Sequence, residues 1–171
     1  MKKEKIRDIT YVALFVAVIA IISQVSVPLA GLAPITLQIY AVSMCGYVLG
    51  VKRGLLSILV FIALGAVGVP VFSSLQGGIH VLLSYTGGFI FGFIPLTVMC
   101  GIYRKRRLGI VFGIIGVLIC HLLGIIWYSV VADMNFVASF IAVSLPFLVK
   151  DIILCILSFF ASANLREKSK L

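Results

Sequence analysis

Long apolar runs separated by short basic clusters are the feature that most narrows what this chain can fold into. Apolar stretches recur over about 9–27, 35–51, 54–69, 79–103, 108–131 and 137–165, and a helix needs roughly 17 to 25 mainly apolar residues to cross the hydrocarbon of a bilayer. With 63% of its 171 residues apolar and only 11% charged, and a mean hydropathy of +1.27, the chain carries more apolar surface than a soluble domain can hide. The expected fold is all-α and integral to the lipid bilayer: about six transmembrane helices in a single membrane domain, 1–171.

The basic residues set the expected topology. Lys2, Lys3, Lys5 and Arg7 lie at the N-terminus, Lys52 and Arg53 in one connection, Arg104 to Arg107 in another, and Arg166, Lys168 and Lys170 near the end. The connections near 28–34, 70–78 and 132–137 hold no Lys or Arg. Cytoplasmic loops collect Lys and Arg, so this alternation places the protein in the cell membrane as a multi-pass chain with both termini cytoplasmic. The net charge of +9 is thus accounted for at the membrane, and no basic face with interleaved aromatics calls for nucleic acid. The first apolar run is long enough to span and has no clear cleavage site before a soluble domain, so it reads as a retained helix.

Helix 1 is expected over 8–27, with Ala13 and Ala17 four residues apart and Ala20 close to the same face. Small residues at that spacing let a second helix approach closely in lipid, although alanines also occur incidentally in apolar helices. The stretch from Pro28 to Pro34 ends it with a turn. Two short helices, 35–51 and 54–69, are joined by a tight Lys52-Arg53 turn; helices over 79–103, 108–131 and 137–165 follow. Between Gly65 and Gly78 the chain has the glycines and proline of irregular backbone yet keeps apolar side chains. Irregular backbone at membrane depth is tolerated where protein buries it or it lines a cavity, so this segment is a candidate lid or wall of a binding site.

Asp151 is the sole acid, and Lys150 the sole base, well inside an apolar span. Each costs about 2.5 to 3.5 kcal/mol at mid-membrane, which makes both functional candidates, with a mutual structural ion pair as the alternative. Adjacent helical residues diverge by about 100°, so the expectation is that the two grip separate groups of one ligand rather than face each other. His80 lies in the polar opening of the fourth helix with Ser84, Tyr85 and Thr86, whereas His121 reads as a buried core histidine. Phe72, Tyr85, Phe89, Trp127 and Phe147 can supply apolar walls for a small-ligand pocket with a few polar anchors. Cys45, Cys100, Cys120 and Cys155 make no C-x-x-C pair and read as small apolar fillers, so no metal is expected. No G-x-S-x-G, H-E-x-x-H or second buried carboxylate supports catalysis, and no phosphate-binding loop is present. The inventory favours solute capture without a cofactor; an intramembrane enzyme is the weaker reading.

The run Gly68-Val69-Pro70-Val71-Phe72-Ser73, followed by Gly77-Gly78 and Tyr85-Thr86-Gly87-Gly88-Phe89-Ile90-Phe91-Gly92-Phe93, resembles BioY, the biotin-specific capture component of energy-coupling-factor (ECF) vitamin transporters. Pro34-Ile35-Thr36-Leu37-Gln38, Gly124 with Trp127, and Pro146-Phe147 followed by Asp151 carry the resemblance over nearly the whole chain. It implies a six-helix S component that binds biotin near the outer face and works with a transmembrane coupling protein (EcfT) and a pair of EcfA-type ATPases. It also implies that Ala13 and Ala17 dock on the coupling protein. The implied ligand contacts come from Asp151, Lys150, Tyr85, Thr86, Gln38, Phe72, Gln76, His80 and Phe89. Two departures stand out: Ser84-Tyr85-Thr86-Gly87-Gly88-Phe89 replaces the family's G-P-T-G-G-Y, and Leu154 occupies the place of its lysine. Lys150 lies four residues before Leu154, on the same helix face, and is expected to substitute for that cation. A biotin precursor or another small carboxylate is the alternative ligand.

Overall fold

The computed structural model describes residues 2–27, 35–103 and 107–169. The turn expected over 28–34 and the basic residues Arg104 to Arg106 and Lys170 lie outside the described residues. Helix α1 spans Lys2–Ser23 and is followed by a two-stranded antiparallel ribbon, Ser26–Val27 with Ile35–Thr36, in which Ser26 pairs with Thr36. Helix α1 therefore starts and ends earlier than the apolar run suggested. Its polar first turns are helical too, and the chain after Ser23 turns to feed the ribbon.

Helix α2, Gln38–Ala66, is two helices joined at Gly50, whose φ of 76° and ψ of −178° break the helical path. A methyl at Gly54 would lie 3.5 Å from the Cα of Gly46. Eight residues of straight helix would separate those positions by about 12 Å, so the chain reverses at Gly50 and the two limbs pack side by side. The two short helices of the sequence reading are these limbs. The reversal sits at Gly50 rather than at Lys52-Arg53 because only glycine readily adopts that backbone conformation.

The remaining helices are α3 (Ile79–Leu83), α4 (Gly87–Ile102), α5 (Leu108–Val131), α6 (Phe136–Val143) and α7 (Leu145–Ser169). Two helices expected as continuous are broken, at Ser84–Thr86 and at Ser144. At the first break the Ser84 hydroxyl bonds the Val81 carbonyl at 2.7 Å and lies 3.1 Å from the Thr86 hydroxyl, and Trp127 donates its indole N–H to the Ser84 carbonyl at 2.9 Å. At the second, Pro146 stands in the first turn of α7, where its missing N–H costs little.

Among the described residues four helices are long and apolar enough to cross a membrane, and α4 is a shorter apolar one. Helix α4 packs between α2 and α5, and α7 packs against α2 and α5. Large side chains such as Leu14, Leu56, Leu118, Leu122, Val149 and Leu157 are exposed around the outside. That outer apolar surface suits lipid, and the chain is a multi-pass membrane protein.

The two ends of the bundle differ. At one, Arg53 pairs with Asp8 at 2.6 Å, Tyr47 donates its hydroxyl to the Gly109 carbonyl at 2.9 Å, and Arg166 donates to the Tyr47 carbonyl at 3.0 Å. That carbonyl belongs to the last turn before Gly50, where helical acceptors lose their partners. The other end gathers the ribbon, the 67–78 segment and the Ser84–Thr86 break around a cavity.

Candidate binding site

The cavity has a volume of about 70 Å³ and is partly open; its walls come from the ribbon, α2, the 67–78 segment, both sides of the Ser84–Thr86 break, α6 and α7. Ile39, Phe72, Phe89, Phe93 and Phe147 supply much of its apolar wall, and Thr36, Gln38, Ser73, Thr86, Lys150 and Asp151 its polar groups.

The apolar wall is held by close packing. Phe72 is fully buried, edge-on to Phe61 with ring centroids 5.5 Å apart, and its ring fills the space where a side chain at Gly65 would go. The segment between Gly65 and Gly78 is thus a wall of the cavity. Ser74 and Leu75 carry positive φ values of 59° and 56°, and a single isolated bridge joins Phe72 and Gln76. Phe89 rests against Gly124 and stands edge-on to the His121 ring at 5.6 Å.

The polar end of the cavity is a connected chain of side chains. Lys150 Nζ lies 2.6 Å from Asp151 Oδ1 and donates to the Thr36 carbonyl at 2.8 Å. The other Asp151 oxygen, Oδ2, lies 3.2 Å from His121 Nε2, and His121 Nδ1 lies 2.8 Å from the Ser144 hydroxyl. Asp151 is 5% exposed and His121 3%, so two helices and the α6–α7 break share one buried network. In an apolar interior such a network holds its members in fixed places, since an unpaired member would be costly.

Two expectations change here. Lys150 and Asp151 do pair, because the long lysine stem bends back along the helix to bring its ammonium to the neighbouring carboxylate. His121 is more than an apolar-core histidine, since it bonds the buried acid. Its signal was inventory rather than spacing: one intramembrane acid and one histidine on a long apolar helix each need a partner. Thr36 was also missed as a contributor, because the group it offers is its carbonyl.

Gln38, Phe72, Thr86, Phe89, Lys150 and Asp151 are brought together in the cavity wall, whereas Tyr85, Gln76 and His80 are exposed and lie outside it. Tyr85 leans on Tyr128 with ring centroids 5.5 Å apart. Trp127 does not line the cavity either; it secures the Ser84–Thr86 break that positions Thr86 and Phe89. Gln38 is 7% exposed, and its side-chain nitrogen has no hydrogen-bond partner among the described residues. A buried amide donor at a cavity wall is free to meet an acceptor that enters the cavity. No group of three or more His, Cys, Asp or Glu that could hold a metal occurs among the described residues.

Comparison with known proteins decides the family: residues 1–170 match the BioY family. The chain belongs to the BioY family. It is 40% identical to the probable biotin transporter BioY of Pyrococcus horikoshii over 149 residues, covering 87% of this chain and 90% of that one. It is 30% identical to the biotin transporter BioY2 of Lactococcus lactis over 175 residues, covering 99% and 96%. It also superposes with a TM-score of 0.89 on a crystal structure of the S-component for biotin from an ECF-type ABC transporter, at 26% identity and covering 98% and 94% of the two chains. The BioY fold is therefore present over essentially its whole length, and BioY proteins are transport subunits rather than enzymes.

Proposed function

We infer that this chain is the S component of an ECF-type transporter and captures biotin in the cavity beside Lys150 and Asp151. The observation that carries the reading is the pairing of an acceptor and donors on one cavity wall. Biotin's ureido group presents two N–H donors and one carbonyl acceptor. Asp151 keeps lone pairs beyond those used by Lys150 and His121, Lys150 has a third N–H, and Gln38 has an unpartnered amide N–H. The ureido N–H groups donate to Asp151 while its carbonyl accepts from Lys150 and Gln38, and Phe72, Phe89, Phe93 and Phe147 enclose the apolar rings. A few placed polar groups in a mainly apolar cavity is the common design of small-ligand sites. Lys150 lines the cavity and Leu154 does not, which supports Lys150 as the substitute for the cation that the BioY pattern places at 154.

The cavity lies at the end of the bundle opposite Arg53 and Arg166. With those basic groups cytoplasmic, the site loads from outside and both termini face the cytoplasm. The segment 69–78 closes over the ligand, and the whole subunit reorients in the membrane to release it inward. Energy comes from an EcfT-type coupling protein and a pair of EcfA-type ATPases. Ala13 and Ala17 are exposed on α1, while Val12, Val16 and Ile19 bury its other face, so the two alanines are available for the coupling protein.

The test is calorimetric titration of the detergent-purified protein with biotin, beside a precursor lacking the sulfur ring and an unrelated vitamin. Saturable binding of biotin alone, with the ligand recovered unmodified, is expected. A folded protein that ignores biotin but binds the precursor would transfer the function to that ligand.

A further inference from the structure

His121 belongs to no ligand contact, yet it is almost fully buried on α5 and joins two groups that sequence separates widely. Its Nε2 lies 3.2 Å from Asp151 Oδ2 on α7, and its Nδ1 lies 2.8 Å from the hydroxyl of Ser144 at the α6–α7 break. A carboxylate only accepts hydrogen bonds. A hydrogen bond between them therefore needs the hydrogen on Nε2, which both the Nε2-protonated neutral ring and the charged ring supply, and the Ser144 hydroxyl turns to suit either state of Nδ1. We propose that His121, anchored by Ser144, is a positioning residue that holds one oxygen of Asp151 so that the carboxylate presents its remaining lone pairs to the ligand.

Geometry supports a role in aiming rather than in filling. Asp151 is held from both sides, by Lys150 at Oδ1 and by His121 at Oδ2, which fixes the rotation of the carboxylate plane. The histidine is held in turn: Ser144 bonds one ring nitrogen, and the Phe89 ring stands edge-on at 5.6 Å. Ser144 itself is rigid, because its N–H ends α6 on the Phe140 carbonyl and its own carbonyl accepts from Phe147 and Leu148 to start α7. Backbone geometry at the break is thus transmitted through two side chains to the group that meets the ligand. Partners that orient a primary ligand-binding group matter in the same way at metal sites, where the outer residues fix the inner ones.

The inference rests on the biotin reading, and its test separates the two. Biotin titrations are run on the full-length parent, His121→Leu, His121→Gln, Ser144→Ala, Asp151→Asn and the His121→Leu/Asp151→Asn double variant, with the unliganded thermal midpoint of each recorded. Loss of a hydrogen bond to a charged group predicts about a tenfold to hundredfold weaker complex for His121→Leu. Recovery is expected in His121→Gln, which retains an N–H donor, with a smaller loss in Ser144→Ala. In the Asp151→Asn background the His121→Leu change should cost less than about threefold, because the group it aims is already gone. Multiplying losses in the double variant, or parent-like affinity in His121→Leu, would overturn the proposal. The protein has two histidines, so 15N-histidine spectra read the link without ligand: an Nε2-protonated signal that vanishes in His121→Leu and shifts in Asp151→Asn. A parent that fails to bind biotin but gives that pattern removes the biotin reading and keeps the positioning link; an Nδ1-protonated neutral ring removes the link.

Discussion

The side chain of Gln24 clasps the backbone around Leu75: its Oε1 accepts the Leu75 N–H at 2.8 Å while its Nε2 donates to the Phe72 carbonyl at 3.1 Å and the Ala20 carbonyl at 2.9 Å. One residue just past the end of α1 thereby fixes the segment that supplies Phe72 and Ser73 to the cavity. Leu75 and Ser74 need the help, since non-glycine residues at positive φ cost on the order of 1 kcal/mol or more.

Gln24→Ala removes both halves of the clasp. The wall segment then opens more readily, and biotin dissociation should accelerate about tenfold while the unliganded thermal midpoint falls only slightly. Stopped-flow or filter-based dissociation of labelled biotin measures the first, a melting curve the second. Unchanged dissociation would mean that Phe72 packing alone holds the wall.

Lys150→Ala and Asp151→Asn probe the two ends of the central ion pair. Each should weaken biotin binding by roughly tenfold or more, the expected loss for a hydrogen bond involving a charged group. Lys150→Ala also leaves the buried Asp151 with His121 as its remaining side-chain partner among the described residues, so this variant should lower thermal stability as well. Titration calorimetry and melting curves separate the effects. Parent-like affinity in Lys150→Ala would return the missing-cation question to Leu154.

Gln38→Leu should move stability and binding in opposite directions. Its amide nitrogen is buried without a partner, so replacing it with an apolar side chain of similar size should leave the unliganded protein as stable or up to about 1 kcal/mol more so. Biotin loses a donor to its ureido carbonyl, and affinity should fall about fivefold to tenfold. A variant that is destabilised and binds normally would make Gln38 a packing residue.

Much of this architecture was legible in the chain, and the failures have a common cause. Helix α5 begins and ends where the apolar run does, at Leu108 and Val131, because basic and polar neighbours bound it. The breaks at Ser84–Thr86 and Ser144 sit inside apolar stretches, where no solvated turn announces them; they are stabilised by contacts from afar, Trp127 in one case and His121 in the other. The wall function of 65–78 was readable because glycine and proline in apolar surroundings have few alternatives at that depth. Which polar groups meet was not readable: the His121–Asp151 bond joins residues thirty apart, and only the packed helices decide it.

Gly50→Ala tests the reversal that turns one apolar stretch into two limbs. At φ 76° and ψ −178° a side chain is strained by about 1 to 3 kcal/mol, enough to lower the melting midpoint of the detergent-purified protein by several degrees. The cavity lies at the far end of the limbs, so biotin affinity measured below the melting range should change less than about threefold. A large affinity loss without loss of stability would show that the limb geometry set at Gly50 reaches Gln38.

Ala13→Leu and Ala17→Leu address the face of α1 turned away from the bundle. Both positions are exposed, so larger side chains meet no neighbour within the subunit, and biotin titration and thermal midpoint should match the parent. Close approach of a second helix depends on small residues, and each added isobutyl group holds that helix off. Co-purification with the coupling protein and ATP-dependent biotin uptake in reconstituted vesicles should therefore fall together while binding persists. Uptake at the parent rate in the double variant would place the coupling surface elsewhere on the subunit.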